Sequence, residues 1–594
     1  MVCMFDQFRI VTDPVAGSVG LSAIFASLSL LTLFLLLGVL RMRAWLAGLI
    51  SLGVALFVAI VVYAMPVGQA LLSASEGAAF GFFPILWIVL NAIWVYNLTV
   101  VSGHFDVLRR SMERVSPDMR IQAIIVAFCF GALLEALAGF GTPVAVTVVM
   151  LMALGFRPIH AAAVALIANT APVAFGALAT PIVTLGTVTS GAIDDPRLTT
   201  ETLGAMVGRQ TPILAIVVPL VLVAVVDGRR GIRQTWPAAL VAGLVFGVGQ
   251  FVASNYISVP LTDIVAALAS AAAVVLLLRI WRPSESPDLH ADRTPAGPAD
   301  EADEPADAPA AGQRAGTESV SGERAGAGAG SEGAGRRAPV TTLRRDPPGE
   351  VVRAYAPYLI IIVIFSVANL GPVKDALAEE PWTVVFAWPG LDVLGANGAP
   401  LASTNFTFGW LPAAGTLMIL AGLLTAVVLR VGPLAALRAY GRTYAELRHA
   451  IVTVMAVLAL AYVLNQSGQT ATLGELFAAA GGVFLFLSSI LGWIGVAVTG
   501  SDTSANALFG ALQVQTAVEA GLDPVLMAAA NSSGGVLGKM ISPQNLAIAA
   551  SAVGMAGREG DIFRRVVGWS LVLLLFMCVL VTLQGTPVLD WMVP

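Results

Sequence analysis

The chain has 594 residues, of which 57% are hydrophobic and only 12% charged, with a net charge of −5. Soluble domains carry about 25% charged residues, so this composition excludes a water-soluble globular protein and reads as an all-α polytopic membrane protein. The near-neutral balance offers no nucleic-acid surface, and Cys3, Cys129 and Cys578 are too scattered for a disulfide framework or a metal site.

A helix needs about 20 apolar residues to cross the hydrocarbon. The stretch Met1 to Ala16 lacks the basic start of a signal peptide, so Ser18–Leu40 reads as a retained first span. Twelve spans are predicted, at 18–40, 45–65, 77–101, 158–188, 211–226, 236–256, 262–280, 352–371, 409–429, 450–466, 524–555 and 567–591. Two further apolar regions are too long for one span and are interrupted in the middle. These are 121–155, broken around Gly139 and Gly141, and 473–518, broken around Gly500 and Asp502. Each is either a re-entrant hairpin or a pair of spans.

Short cytoplasmic loops are rich in Arg and Lys. The Arg-bearing connections, such as Arg109/Arg110 and Arg564/Arg565, fall on one side when both termini are placed outside the plasma membrane. Residues 283–349 separate an N-terminal half, 1–282, from a C-terminal half, 350–594. That segment is Ala-, Gly-, Pro- and acid-rich with few large apolar residues, and is expected to be a disordered cytoplasmic linker.

Two stretches resemble each other. Asn169 is followed by Gly176 and Pro181, and Asn531 by Gly538 and Pro543, at the same spacing. Each follows an interrupted apolar region, and loop charge gives the two spans opposite directions. This order predicts two inverted-topology repeats with discontinuous helices, a plan used by secondary transporters. Pro172 and Gly176 in one copy, and Gly534, Gly535 and Gly538 in the other, are expected to loosen the helix. Irregular backbone survives at membrane depth only where it is buried or lines a cavity, and half-helix N-termini attract anions.

Ionisable residues at membrane depth are functional candidates. Glu135 is either a proton-coupling carboxyl or a structural one, since burial penalises its charged form. Asp502, in the turn Gly500-Ser501-Asp502-Thr503, either caps a helix or lines a site. Lys539, one of only two lysines, either attracts a substrate carboxylate, pairs with Asp502 or Glu135, or snorkels. His160 reads as an interface residue. The run Gly534 to Met540 fails as a phosphate loop, because Ser533 and Met540 replace the required Gly and Ser/Thr. No catalytic motif, cofactor site or metal site is evident, so an enzyme is not expected.

Together, several stretches give the chain a family resemblance: Phe128 to Ala132, Glu135 with Ala138 to Gly141, Asn169 to Ala177, Val207 to Gln210, Thr499 to Phe509, and Gly538 to Gln544. The chain resembles the bacterial and archaeal L-lactate permease family along nearly all its length outside 283–349. It departs from that family's pattern at Ala136-Leu137 and Thr142, beside Glu135. The resemblance implies proton-coupled uptake of L-lactate, D-lactate, glycolate or related 2-hydroxy monocarboxylates. It also implies distant kinship with transporters that combine inverted repeats and hairpins, a fold-level analogy. Read together, Glu135 and Asp502 are expected to carry protons. Asn169, Thr170, Ser501, Thr503, Asn531, Ser532 and Ser533 are expected to line the substrate site, with Arg209 or Lys539 supplying positive charge. The expected partners are a monocarboxylate, a proton and membrane lipid. The competing reading is a sodium-coupled carboxylate carrier.

Overall fold

The computed structural model describes residues 6–40, 42–113, 115–139, 141–193, 195–285, 346–395, 398–555 and 558–594. The linker expectation falls almost wholly on 286–345, outside the described residues.

The apolar runs become helices because only a helix satisfies its own backbone in lipid. In chain order these are α1 (Val19–Val39), α2 (Ala44–Val61), α3 (Val67–Phe80), α4 (Trp87–Val101), α5 (His104–Glu113), α6 (Met119–Leu137), α7 (Thr142–Ala153), α8 (Pro158–Ala168), α9 (Gly176–Thr189), α10 (Thr200–Ile257) and α11 (Val259–Ile280). After residue 345 come α12 (Pro348–Ala368), α13 (Gly371–Ala378), α14 (Ala414–Val428), α15 (Pro433–Gln466), α16 (Gln469–Ala478), α17 (Phe484–Thr499), α18 (Asp502–Glu519), α19 (Pro524–Gly538), α20 (Pro543–Ala552) and α21 (Glu559–Gln584). Side-chain oxygens cap several starts, including Ser18 on α1, Asp118 on α6, Asp523 on α19 and Ser542 on α20.

Among the described residues, ten helices are long and apolar enough to cross a membrane, or eleven if the bent pair α8–α9 counts as one span. The differences from the twelve predicted spans have local causes. The spans expected at 211–226 and 236–256 count once in that total but are both present: α10 leaves helical geometry at Asp227 and Gly228 and folds back, so that Gly243 and Gly247 of its second arm meet the Ile216 and Pro212 backbone of its first. The span expected at 524–555 is two short helices, because Pro543 lacks an N–H and pushes Ser542 into extended backbone.

Both interrupted regions fold as helical hairpins. In the first, α7 has 12 residues and rises only about 18 Å, short of the ~30 Å hydrocarbon core. The turn before it needs left-handed backbone at Gly141, φ 86°. In the second, α17 ends at Gly500, φ 75°, and Ser501 caps α18. Side chains other than Gly rarely adopt such angles.

Gly534 and Gly535 do not break their helix as expected; both lie inside the continuous α19, which ends at Gly538. A Cβ on Gly534 would collide with the Ser489 backbone of α17, and one on Gly492 of α17 with the Asn531 carbonyl. The glycines therefore let two helix backbones touch, as small residues do between membrane helices. The connection expected only as an Arg-poor loop at 372–408 holds a hairpin of β2 (Thr383–Ala387) and β4 (Asn405–Gly409), paired from Thr383↔Gly409 to Ala387↔Asn405. Between them, β3 (Val393–Leu394) runs parallel to β1 (Phe8–Arg9). A large apolar core joins α1, α2, α3 and α15 to parts of α9 and α18.

Forcing a branched side chain into the α17–α19 contact costs about 1–3 kcal/mol or more. Gly534→Val is expected to lower the melting temperature of the detergent-solubilised protein by several degrees. Gly53→Val, where nothing lies within 4 Å, is expected to leave it unchanged.

Candidate functional site

The two broken spans and the two hairpins supply the site. The first span stops at Asn169, and Pro172, with no N–H, begins a short 3₁₀ turn over Val173–Phe175. Ala177, Leu178 and Ala179 then follow in left-handed backbone, φ 45°, 55° and 59°. Each such residue costs about 1–2 kcal/mol, and strain of this kind concentrates at functional sites. The two helical pieces are bent by 63°. Gln250 of α10 donates to the Ala171 carbonyl at 3.1 Å, satisfying one acceptor in this break.

Glu135 of the first hairpin packs against that break. A Cβ on Gly176 would lie 2.8 Å from Glu135 Oε1, so Gly176 lets the carboxyl touch the unwound backbone. The same oxygen accepts from Lys539 Nζ at 2.6 Å, and both side chains are buried. Lys539 starts the turn between α19 and α20. The ion pair thus joins the first hairpin to the second broken span. Glu135 Oε2 has no partner.

Asp502 sits in the first turn of α18, where a negative charge suits the helix dipole. Its Oδ2 accepts from Ser532 Oγ at 2.6 Å and from Asn506 at 3.5 Å. Its Oδ1 is unpartnered and faces Gly535, where a Cβ would collide with it. Asn506 also donates to the Pro181 carbonyl of α9 at 3.0 Å. The second hairpin therefore touches the first broken span, as the first hairpin touches the second.

The paired asparagines differ. Asn531 is saturated: its amide donates to Asn506 at 2.9 Å and its oxygen accepts from Gln513 at 3.2 Å. Asn169 is buried with neither side-chain atom partnered. Ser533 Oγ is likewise buried and unpartnered. Thr170 donates to the Ile167 carbonyl, Ser501 caps α18, and Thr503 is buried in the turn after it. Arg209 is not drawn into this cluster; its guanidinium binds Asn255 at 3.1 Å and the Met592 carbonyl at 2.8 Å.

One site residue escaped the sequence reading. Asp263, at the start of α11, is fully buried and accepts from Gln250 at 2.9 Å, with its other oxygen unpartnered. Gln250 donates both to Asp263 and to the Ala171 carbonyl, so the buried carboxyl is tied to the first break. An Asp opening an apolar helix looks like an ordinary cap; its signal was the lone Gln250 in the apolar run preceding it.

A separate cavity of about 710 Å³ opens between the starts of α8 and α21, lined by Arg157, His160, Arg558, Asp561, Arg564 and Arg565 among others. His160 lies 3.3 Å from Arg565 there, at the helix start expected for an interface histidine.

The sequence profile described as L-lactate permease matches residues 22–588. The chain belongs to the L-lactate permease family. It is 38% identical to an L-lactate permease of Bacillus subtilis, covering 98% of this chain and 99% of that one. It is 39% identical to an L-lactate permease of Escherichia coli K12, over 98% of each. It is also 40% identical to the glycolate permease GlcA of the same strain, over 96% of each. Within this L-lactate permease family member, four ionisable side chains converge from both halves of the sequence: Glu135, Asp263, Asp502 and Lys539.

Breaking a buried ion pair by removing one partner costs about 3–5 kcal/mol, while removing both is far milder. Glu135→Leu and Lys539→Met are each expected to depress the melting temperature, and the double variant to recover much of the loss. Additive losses in a double-mutant cycle would show that the pair is not coupled.

Proposed function

We propose that the chain is a secondary active transporter of the plasma membrane that imports L-lactate, and related 2-hydroxy monocarboxylates such as D-lactate and glycolate, by proton symport. The observation that carries this reading is the Lys539–Glu135 pair within a group of three buried carboxyls and one ammonium. With every member ionised, the group is anionic and repels an anionic substrate. At 4 Å and an effective dielectric of about 20, one such repulsion is about 4 kcal/mol, roughly a thousandfold in affinity.

Protonating Glu135 removes one negative charge and releases Lys539. The freed ammonium then meets the substrate carboxylate, while Asn169, with both polar atoms unpartnered, and Ser533 are placed to bind the 2-hydroxyl or a carboxylate oxygen. Asp502 and Asp263 are the further proton-carrying candidates. Asn531 and Ser532 hold Asp502 and the hairpin in place. Proton and substrate thereby favour each other's binding, and such coupling is reciprocal.

The two hairpin-and-broken-span units are read as inverted repeats that move around this shared site. The Arg-lined cavity between α8 and α21 is read as a cytoplasmic vestibule whose charge attracts anions. Sodium coupling is the competing reading, favoured by the unpartnered oxygens of Asp502 and Ser533. A sodium jump at fixed pH separates the two.

In proteoliposomes, lactate flux is expected to carry protons in the same direction. Glu135→Gln is expected to reduce pH-driven uptake at least 100-fold while lactate counterflow persists. Lactate flux without proton movement in the wild type would refute symport, and undiminished driven uptake in Glu135→Gln would remove that residue from the coupling role.

A further inference from the structure

A second buried carboxyl lies away from the Lys539 group. Glu76 of α3 is fully buried in an apolar setting, and its Oε2 accepts from Gln466 Nε2 at 2.7 Å. Its Oε1 has no partner, and among the described residues no cation pairs with it. Gln466 ends α15, where the chain turns sharply through Gly468, φ 92°, into α16. The run Asn465 to Thr472 is polar and mostly buried, an arrangement that apolar packing does not require.

The neighbours of Glu76 share its incompleteness. Gln466 Nε2 also reaches the Ser403 carbonyl at 3.3 Å, while Gln466 Oε1 and Ser403 Oγ are buried and unpartnered. Ser403 lines a small cavity together with Thr187 of α9, Tyr462 and Asn465 of α15, Thr470 of α16 and Ala507 of α18. Its volume of about 10 Å³ is close to that of a single water probe. The cavity lies on a seam. On one side are α9 and α18, which carry the first break and Asp502; on the other is α15, whose Gln466 binds Glu76 of α3, and neither α15 nor α3 carries a residue of the Lys539 group.

We infer that Glu76 is a second proton-binding site of the carrier, set on the seam between the helices bearing the substrate group and the scaffold of α3 and α15. An isolated carboxylate is too costly to bury, so such a group takes up a proton or a counter-charge. The free Oε1 holds the proton, and Gln466, which donates to both Glu76 and the Ser403 carbonyl, links it to the water-sized cavity lined by Ser403, Asn465 and Thr187. Tyr462 is the titratable side chain facing Glu76 from α15. The sequences of α2 and of the turn Gly81–Leu86, which also pack on this region, contain no ionisable residue. Asp392, in the nearby loop, is bound by Gln7.

This inference rests on the proton-symport reading, and its test separates the two. Infrared difference spectroscopy of the reconstituted full-length protein is expected to show a protonated-acid carbonyl band that disappears in Glu76→Gln. The proton-to-lactate ratio of driven flux is expected to fall in that variant, with lactate counterflow within about twofold of wild type. An unchanged band and an unchanged ratio would overturn the assignment. Should Glu76→Gln fail to fold, Glu76→Asp is expected to keep a shifted acid band, and its absence would equally overturn the site. If wild-type lactate flux carried no proton, symport would fall, and the band alone would decide Glu76.

Discussion

The ion pair between Lys539 and Glu135 joins side chains 404 positions apart in the chain and holds the site together. Its geometry depends on three separate backbone departures: the first hairpin turn, the unwound stretch after Asn169, and the turn after Gly538. Burying two charges is expensive, and the mutual attraction offsets that cost only with close geometry. A 2.6 Å contact with Gly176 packed beside it meets that condition. Because Glu135 Oε2 remains unpartnered, the pair leaves capacity for a proton.

The two halves meet by crossing over. Glu135 reaches from the first hairpin to the second broken span, and Asn506 reaches from the second hairpin to Pro181 of the first. The halves nevertheless do different chemistry. The first break begins directly after Asn169 and leaves its amide unpartnered. The second begins only after Gly538, so Asn531 stays helical and is consumed by Asn506 and Gln513. The first asparagine is accordingly the one proposed for substrate contact, while the other braces the second hairpin.

Much of this was legible in the sequence, for physical reasons. Glu135, Asp502 and Lys539 stand out because charges at membrane depth are costly, and the apolar runs announce helices by length. Legibility ended where one residue type has two uses. Gly534 and Gly535 serve close packing of α17 on α19, though glycine equally suits a broken helix. Asp263 opens a helix as a cap would, yet its carboxyl is buried and bound by Gln250, which also holds the first break. The left-handed run Ala177–Ala179 has no sequence signature, since Ala and Leu favour right-handed helix. The β2–β4 hairpin hid in a connection read only for its charge.

The central claim is that lactate and a proton bind together because the proton releases Lys539 from Glu135. The most direct measurement is proton uptake on lactate binding to the purified carrier in weakly buffered solution, with affinity followed across pH. The account predicts about one proton or more taken up per lactate bound, affinity that weakens as pH rises, and a smaller proton uptake per lactate in Glu135→Gln. Lactate binding with no proton uptake at any pH would contradict it.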